Sequence, residues 1–284
     1  MAKVYDALRR AETERRRRAE PAVAPAIARL DWEPEPVEVP APLPPADGES
    51  FFERLLARRK RHDAVADANK RRIALLQPDS FVAEQFRALR GRIDAIAEQR
   101  SVHTVAVTSA LPGEGKTTAA VNLAIVTALG LDRRVLLIDC DLRKPKVHQS
   151  LGLRPEAGLG ELLAGGLSLD DAVVRAETGN LEILAVRGRP ANPSELLASD
   201  RMRELVEEVA QRYHRVILDT PAALGLPDAK IVADLCDGAV MVVRADMTSF
   251  DDAQTVLEFL DRDRILGLVL NGASVNQGRY GYAS

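Results

Sequence analysis

The sequence has few cysteines and little net charge. Cys140 and Cys236 are its two cysteines, and they show no CxxC or Cys/His metal spacing, which argues against a disulfide scaffold and a zinc site. The 39 Lys and Arg residues nearly balance 42 Asp and Glu residues, so the composition does not favour a basic nucleic-acid binder. No apolar run approaches the roughly 18 residues of a membrane span, and the N-terminus is charged from Lys3 onward. These absences predict a cytoplasmic protein.

The first 77 residues have the composition of an extension. Eight of the 16 prolines lie between Pro21 and Pro45, which predicts an extended linker because proline fixes φ and lacks an N–H donor. Basic runs flank this stretch, at 15–18 and within a helix-like segment over 51–72. Such runs are solvated surface, the interpretation we favour, or a docking segment for a partner or an anionic membrane. We therefore predict a disordered or partly helical extension over 1–77.

From Pro78 onward, short apolar strands alternate with helical stretches. Strands that are apolar on both faces and separated by helices indicate a mostly parallel sheet with helices on each side. We predict this α/β fold for residues 78–272, followed by a flexible tail over 273–284. The predicted strands are 102–108, 134–138, 181–186, 215–218, 239–243 and 265–270, and the main helices are 116–129, 201–211 and 250–260.

A glycine-containing loop joins the first of these strands to its helix. Gly113 and Gly115 lack a Cβ, so the loop can turn its N–H groups toward phosphate oxygens. Lys116 supplies a charge for the phosphates, and the Thr117 hydroxyl suits a Mg²⁺ ion. The strict phosphate-loop pattern would require glycine where Ala110 stands. The strand before the loop and the helix after it still favour a nucleotide site over a structural turn.

Three aspartates follow two other predicted strands. Asp139 and Asp141 end one strand, and Asp219 ends another. Because ligands bind beyond the carboxyl ends of strands in such sheets, we expect the acids to converge on the phosphate loop and complete a magnesium site. Each acid, taken alone, could instead cap a helix or lie in a loop.

At these residues the chain resembles the bacterial tyrosine kinases (BY-kinases), P-loop autokinases that accompany capsule and exopolysaccharide synthesis. The resemblance covers roughly residues 78–284. It rests on the loop 110–117, the acidic segment 136–145, the segment ending Asp219-Thr220-Pro221, and the stretch 192–197. It implies ATP and Mg²⁺ as cofactors, a homo-oligomeric ring, and no nucleic-acid partner. It also implies recruitment to the inner face of the cell membrane by a membrane polysaccharide chain-length regulator, so that membrane association is indirect.

The resemblance assigns roles to individual residues. Thr117, Asp141 and Asp219 would hold magnesium, Asp139 would accept or orient the tyrosine proton, and Arg143 would steady the acids or the transferred phosphate. The set assigned to nucleotide binding comprises Gly113, Glu114, Gly115, Lys116, Thr117, Thr118 and Asn271. The catalytic set comprises Lys116, Asp139, Asp141, Arg143 and Asp219.

Three charged residues spaced three apart, Glu84, Arg87 and Arg90, match a family segment that packs protomers into a ring. On a helix they share one face, so they could pair with a neighbouring subunit or form an ordinary surface ion pair.

The ParA/MinD-like ATPases share the fold expected here and provide the alternative function, a nucleotide-dependent assembly switch without kinase activity. Their phosphate loop carries an additional lysine where this chain has Leu111. Because that lysine is absent, we favour the kinase.

An autokinase requires a tyrosine that can reach the nucleotide. Of the four tyrosines, Tyr213 precedes a buried strand and is expected to be structural. Tyr280 and Tyr282 lie in the C-terminal tail and are the predicted phosphoacceptors. The alternative is a tail whose aromatic residues have no role in catalysis.

Overall fold

The computed structural model describes residues 72–176 and 179–273. These residues form a seven-stranded sheet in the order β3-β4-β2-β5-β1-β6-β7. The strands are β1 (Thr104–Ser109), β2 (Val135–Asp139), β3 (Val174–Arg175), β4 (Leu181–Leu184), β5 (Arg215–Asp219), β6 (Gly238–Arg244) and β7 (Ile265–Asn271). All neighbouring strands pair in parallel except β3, which pairs antiparallel with β4. The predicted mostly parallel sheet is thus confirmed.

The helices are short to medium in length and cover both faces of the sheet. In chain order they are α1 (Ile73–Leu76), α2 (Phe81–Ala97), α3 (Lys116–Ala128), α4 (Val147–Leu151), α5 (Leu159–Leu163), α6 (Leu169–Ala172), α7 (Pro193–Leu197), α8 (Asp200–Arg212), α9 (Asp228–Leu235) and α10 (Phe250–Phe259), with a 3₁₀ turn at Arg262–Arg264. The predicted helices 116–129, 201–211 and 250–260 are present as α3, α8 and α10, whereas the helix-like segment over 51–72 lies almost entirely outside the described residues. No helix in the described ranges combines the length and the apolar character that crossing a membrane would require.

Alternate residues of the central strands enter two separate cores. On β1, Val105 and Val107 pack in a core with α2 and α3, whereas Ala106 packs in the core on the other face. Successive side chains of a strand point to opposite faces, so a strand covered on both sides is largely apolar. Every residue of β1, β2 and β5 is buried accordingly.

The packed structure extends to the N-terminal side of Pro78. Helix α1 precedes this proline, Ala74 is buried, and its N–H donates to Asn122 Oδ1 of α3 at 2.9 Å. Residues 1–71, which include the predicted linker and most of the basic segments, lie outside the described residues, as do Tyr280 and Tyr282.

Candidate active site

The phosphate loop lies between the centre of the sheet and helix α3, as predicted. Gly113 and Gly115 have φ values of 89° and 101°. These values fall in the left-handed region, where residues with a Cβ are strained. Ala110, which replaces the glycine of the strict pattern, has no positive φ and is completely buried in the apolar core. Its methyl group therefore fills space beneath the loop, which explains why alanine is tolerated.

Glu114 braces the loop from inside the protein. Its side chain is completely buried and accepts hydrogen bonds from the Leu111 N–H, at 2.7 Å, and from the Thr248 hydroxyl. The Asn271 amide donates to the Glu114 carbonyl at 2.8 Å. The carboxylate is thus used to hold the loop, and the prediction that Glu114 contacts the nucleotide stays a prediction that falls to its backbone N–H.

Lys116 and Asp141 form an ion pair at the mouth of the loop, with Nζ 3.2 Å from Oδ2. The other oxygen of Asp141 accepts from the Lys144 backbone N–H at 2.9 Å. Burial lowers the pKa of Lys116, but the charges of the three aspartates outweigh burial and leave the pKa raised. The ammonium group therefore stays charged in this partly buried position, as a phosphate-binding lysine must.

Asp139 is fully buried and its oxygens are occupied by backbone donors. Oδ2 accepts from the N–H groups of Lys146 and Val147, each at 3.0 Å, and Oδ1 accepts from Asp141 at 3.2 Å. Burial, together with the charge of Asp219, raises the pKa of this carboxyl group. Asp139 thus organises the loop after β2, the structural role left open for a single acid.

Asp219 is also fully buried, but it is almost unsatisfied. Neither carboxylate oxygen has a partner at hydrogen-bonding distance among the described residues. Burial raises its pKa, while the Lys116 charge and the Thr117 hydroxyl act in the opposite direction. A buried carboxylate without donors is costly unless a cation compensates for it.

This orphaned carboxylate, with Thr117 and Asp141, fits the donors that Mg²⁺ prefers. Magnesium is usually held by one or two protein oxygens together with water and substrate phosphates. The described residues contain no group of three or more His, Cys, Asp or Glu side chains that could hold a metal ion by themselves.

Arg143 anchors the segment that carries Asp139 and Asp141 to helices α7 and α9. Its Nε lies 2.7 Å from Asp228 Oδ2, and its Nη2 donates to Ser194 Oγ at 2.9 Å. The Ser194 hydroxyl donates to Asp228 as well, and Asp228 is buried. Sequence reasoning missed Asp228, although its position after Pro227 at the start of α9 was an available signal.

A cleft of about 580 Å³ opens beside the phosphate loop. Its apolar lining residues are Ile73, Val82, Phe86 and Val269. Its polar lining residues include Lys116, Thr117 and Thr118, together with two cations that sequence reasoning missed, Lys146 and Arg244. Arg244 donates to the Gly113 carbonyl at 2.7 Å. Gly113, Gly115 and Asn271, all predicted to bind nucleotide, also line the cleft.

The charged stripe of α2 is engaged within the chain. Glu84 and Arg87 form an i,i+3 ion pair on the surface, and Arg90 donates to the Val126 carbonyl of α3 at 2.6 Å. The predicted interface role of these residues stays a prediction.

A phosphate loop between a central parallel strand and a helix, with buried acids at the same sheet edge, defines a P-loop nucleotide-binding protein. The family described as AAA domain matches residues 102–263. Tyrosine-protein kinase YwqD of Bacillus subtilis is 39% identical over 213 residues, which cover 74% of this chain and 90% of YwqD. The kinase domain of Escherichia coli tyrosine kinase ETK is 32% identical with a TM-score of 0.66, over 75% of this chain and 84% of that domain. The chain therefore belongs to the bacterial tyrosine-protein kinase family, which confirms the predicted resemblance.

Two further comparisons concern the length of the relatives and the fold. The chain spans 28% of several longer curated tyrosine-protein kinases that it also matches. The septum site-determining protein MinD of Pyrococcus horikoshii, solved with Mg-ADP, is 23% identical with a TM-score of 0.53, over 61% of this chain and 72% of MinD. This second likeness confirms the predicted MinD-like fold.

Proposed function

We propose that this chain is an ATP- and magnesium-dependent protein-tyrosine kinase that phosphorylates Tyr280 and Tyr282 of a second copy of itself. The observation that carries the proposal is the buried, donor-free carboxylate of Asp219 beside the Lys116–Asp141 pair, in a chain of the tyrosine-kinase family. That arrangement suits a metal-bound triphosphate, and the family supplies the acceptor chemistry.

In this proposal the loop amides between Gly113 and Lys116 surround the phosphates, and the Lys116 ammonium neutralises their charge. Thr117, Asp141 and Asp219 hold Mg²⁺, directly or through water. When bound, the ion supplies charge neutralisation for the phosphate oxygens and orients them. The Lys144 N–H, which donates to Asp141 Oδ1 at 2.9 Å, would hold this carboxylate in place for the ion.

The transfer step forms a bond between the tyrosine oxygen and the γ-phosphorus while the bond from that phosphorus to the bridging oxygen breaks. ADP leaves with the electron pair, and the phenolic proton passes to solvent. We prefer solvent to Asp139 as the acceptor, because the Asp139 oxygens already bind three backbone N–H groups. Phosphoryl transfer usually has a loose transition state, which requires little assistance from a base.

The position of the last strand supports the tail as substrate. Strand β7 ends at Asn271, and Asn271 and Gly272 line the cleft, so the chain leaves the fold beside the phosphate loop. The eight Cα–Cα steps from Gly272 to Tyr280 could span roughly 26–29 Å when extended. That reach is compatible with the cleft of an adjacent copy in a ring. Glu84, Arg87 and Arg90 would then exchange their present partners for those of a neighbour.

The physiological setting follows from the family by analogy. We infer that the kinase regulates exopolysaccharide or capsule synthesis from the cytoplasmic face of the membrane, through a membrane-embedded chain-length regulator. The basic and proline-rich residues 1–50 would add a second tether. Deleting them should reduce membrane association in cell fractionation, and unchanged association would remove this role.

The kinase assignment is tested by mass spectrometry of the C-terminal peptide after incubation of the purified full chain with Mg·ATP. Wild type should gain phosphate on Tyr280 or Tyr282, and Lys116→Met should gain none. A mixture of Lys116→Met with a Tyr280→Phe/Tyr282→Phe double variant tests transfer between copies, since only the active, tyrosine-free copy can label the inactive one. ATP hydrolysis without any phosphotyrosine would contradict the kinase and favour the assembly-switch ATPase.

A further inference from the structure

Lys146 is a cation in the cleft that neither the phosphate-loop pattern nor the acidic motif explains. It lies at the N-terminal boundary of α4 and is exposed, and it lines the cleft together with Lys116 and Thr117. Within the described residues its ammonium group forms no hydrogen bond or salt bridge. Lys116, by contrast, is paired with Asp141.

The backbone of Lys146 is held firmly although its side chain is not. The Asp139 carboxylate accepts from the N–H groups of Lys146 and Val147, each at 3.0 Å, and is itself fully buried. The following residue, Val147, is buried in the core that contains α3. The root of the Lys146 side chain therefore has a defined position relative to the start of α3, while its ammonium group can move to meet an anion.

Hydrogen bonds place the Lys146 backbone close to the phosphate loop. Its N–H donates to the Asp139 carboxylate at 3.0 Å, and the same carboxylate accepts from the Asp141 N–H at 3.2 Å. Asp141 in turn pairs with Lys116, with Nζ 3.2 Å from Oδ2. Lys146 is thus linked through Asp139 and Asp141 to the lysine of the phosphate loop, and it lines the same cleft.

We infer that Lys146 is a second phosphate-contacting lysine that binds the terminal phosphate oxygens of ATP. The inference rests on the proposed nucleotide-dependent function of the same cleft. In this chain Leu111 occupies the loop position where MinD-like ATPases carry an additional lysine. Lys146 brings a second positive charge to the phosphates from the loop after β2 instead. During transfer it would neutralise charge on the phosphate oxygens without taking part in the bonds that form and break.

The neighbouring Lys144 provides a matched control. It is also an exposed lysine of the same loop, and its known contact is made by its backbone N–H, which a side-chain substitution preserves. Lys144 is not among the residues that line the cleft. Lys144→Met and Lys146→Met therefore remove the same charge from the same segment at different distances from the phosphates.

The experiment measures the affinities of the full chain for Mg·ADP and for the non-hydrolysable analogue Mg·AMP-PNP by isothermal titration calorimetry. Lys146→Met should weaken AMP-PNP binding by about tenfold, the usual loss for one charge-assisted contact, and ADP binding by much less. Lys146→Arg should restore most of the analogue's affinity, and Lys144→Met should bind both nucleotides as wild type does. Thermal unfolding of each variant verifies that it is folded.

The outcomes separate this inference from the proposed function. If wild type binds both nucleotides and Lys146→Met retains the wild-type ratio of affinities, Lys146 does not contact the terminal phosphate and the inference is overturned. Equal losses in Lys144→Met and Lys146→Met would also overturn it, because they would indicate a general effect of charge. If wild type binds neither nucleotide, the proposed function itself fails.

Discussion

Replacing Asp219 with asparagine should make the nucleotide-free protein more stable while abolishing its function. The Asp219 carboxylate is fully buried and has no hydrogen-bond partner among the described residues. Folding therefore places a negative charge away from water, where the charge of Lys116 and the Thr117 hydroxyl offset only part of the cost of burial. In the proposed function this charge serves to bind Mg²⁺, which would compensate for the cost of burial.

The free-energy cost of burying the Asp219 charge follows from the shift in its pKa. Burial raises the pKa of Asp219 from 3.8 to about 6, and a shift of roughly two units corresponds to about 3 kcal/mol. Asparagine removes the charge but keeps a buried polar group, which offsets part of the gain. We expect a net stabilisation of about 1–2 kcal/mol at pH 7.5, or about 2–8 °C in Tm for a domain of this size.

The stability gained by Asp219→Asn should depend on pH. A raised carboxyl pKa means that the folded state binds the proton more tightly than the unfolded chain, so the wild type loses stability as pH rises from about 4 through 6. The advantage of Asp219→Asn should thus be present at pH 7.5 and nearly absent at pH 4.5. Thermal unfolding of both proteins at the two pH values, without nucleotide or magnesium, measures it.

Asp141→Asn is the matched control for this prediction. Asp141 lies in the same site, but its oxygens already contact Lys116 and the Lys144 N–H. Removing its charge should therefore bring no gain in stability. The reasoning fails if Asp219→Asn is less stable than wild type at pH 7.5, or if both variants gain equally. Stabilisation by Mg·ADP should be lost in Asp219→Asn, because the ion loses a ligand.

Two further substitutions address the parts that hold the site in place. Asp228→Ala should cost about 1–3 kcal/mol in urea unfolding and slow tail phosphorylation, because Arg143 loses its buried partner; unchanged kinetics would show that Arg143 does not position the acidic loop. Gly115→Ala should reduce Mg·ADP affinity, since φ is 101° and a Cβ would lie 2.2 Å from Asn271 Nδ2. Gly91→Ala, in an open position on helix α2, should instead stabilise by about 0.5–1 kcal/mol; a binding loss of the same size in that variant would contradict the argument for Gly115.

Much of the fold could be predicted because its signals are local. The alternation of apolar strands and helices predicted the parallel sheet, since a strand covered on both faces leaves a continuous apolar run. The short helices α1 and α4 to α7 and the two-residue strand β3 were missed, because elements of two to five residues contain too little periodicity to detect. The eight-residue helix α9 was missed as well. Tyr213, expected to be structural, is buried and donates to Glu182.

In the candidate site, too, the features that local sequence encodes were predicted and those that depend on packing were not. Lys116, Thr117 and Asp219 were found because a phosphate loop needs a fixed order of residue types and parallel strands end at one edge. Glu114 and Asp139 carry the residue types expected of functional groups, yet both turn inward and bind backbone N–H groups. The orientation of these two side chains depends on how the surrounding loops pack together. The spacing of residues along the chain does not encode that packing.

By itself, the amino-acid sequence determined the phosphate loop, the strand ends that carry the acids, and the family, because each depends on residues that are neighbours along the chain. Only the tertiary structure decided which acid is left without donors, and that Lys146, Arg244 and Asp228 belong to the site. These groups come from separate loops, and they meet because packing of the sheet and helices brings those loops to one edge.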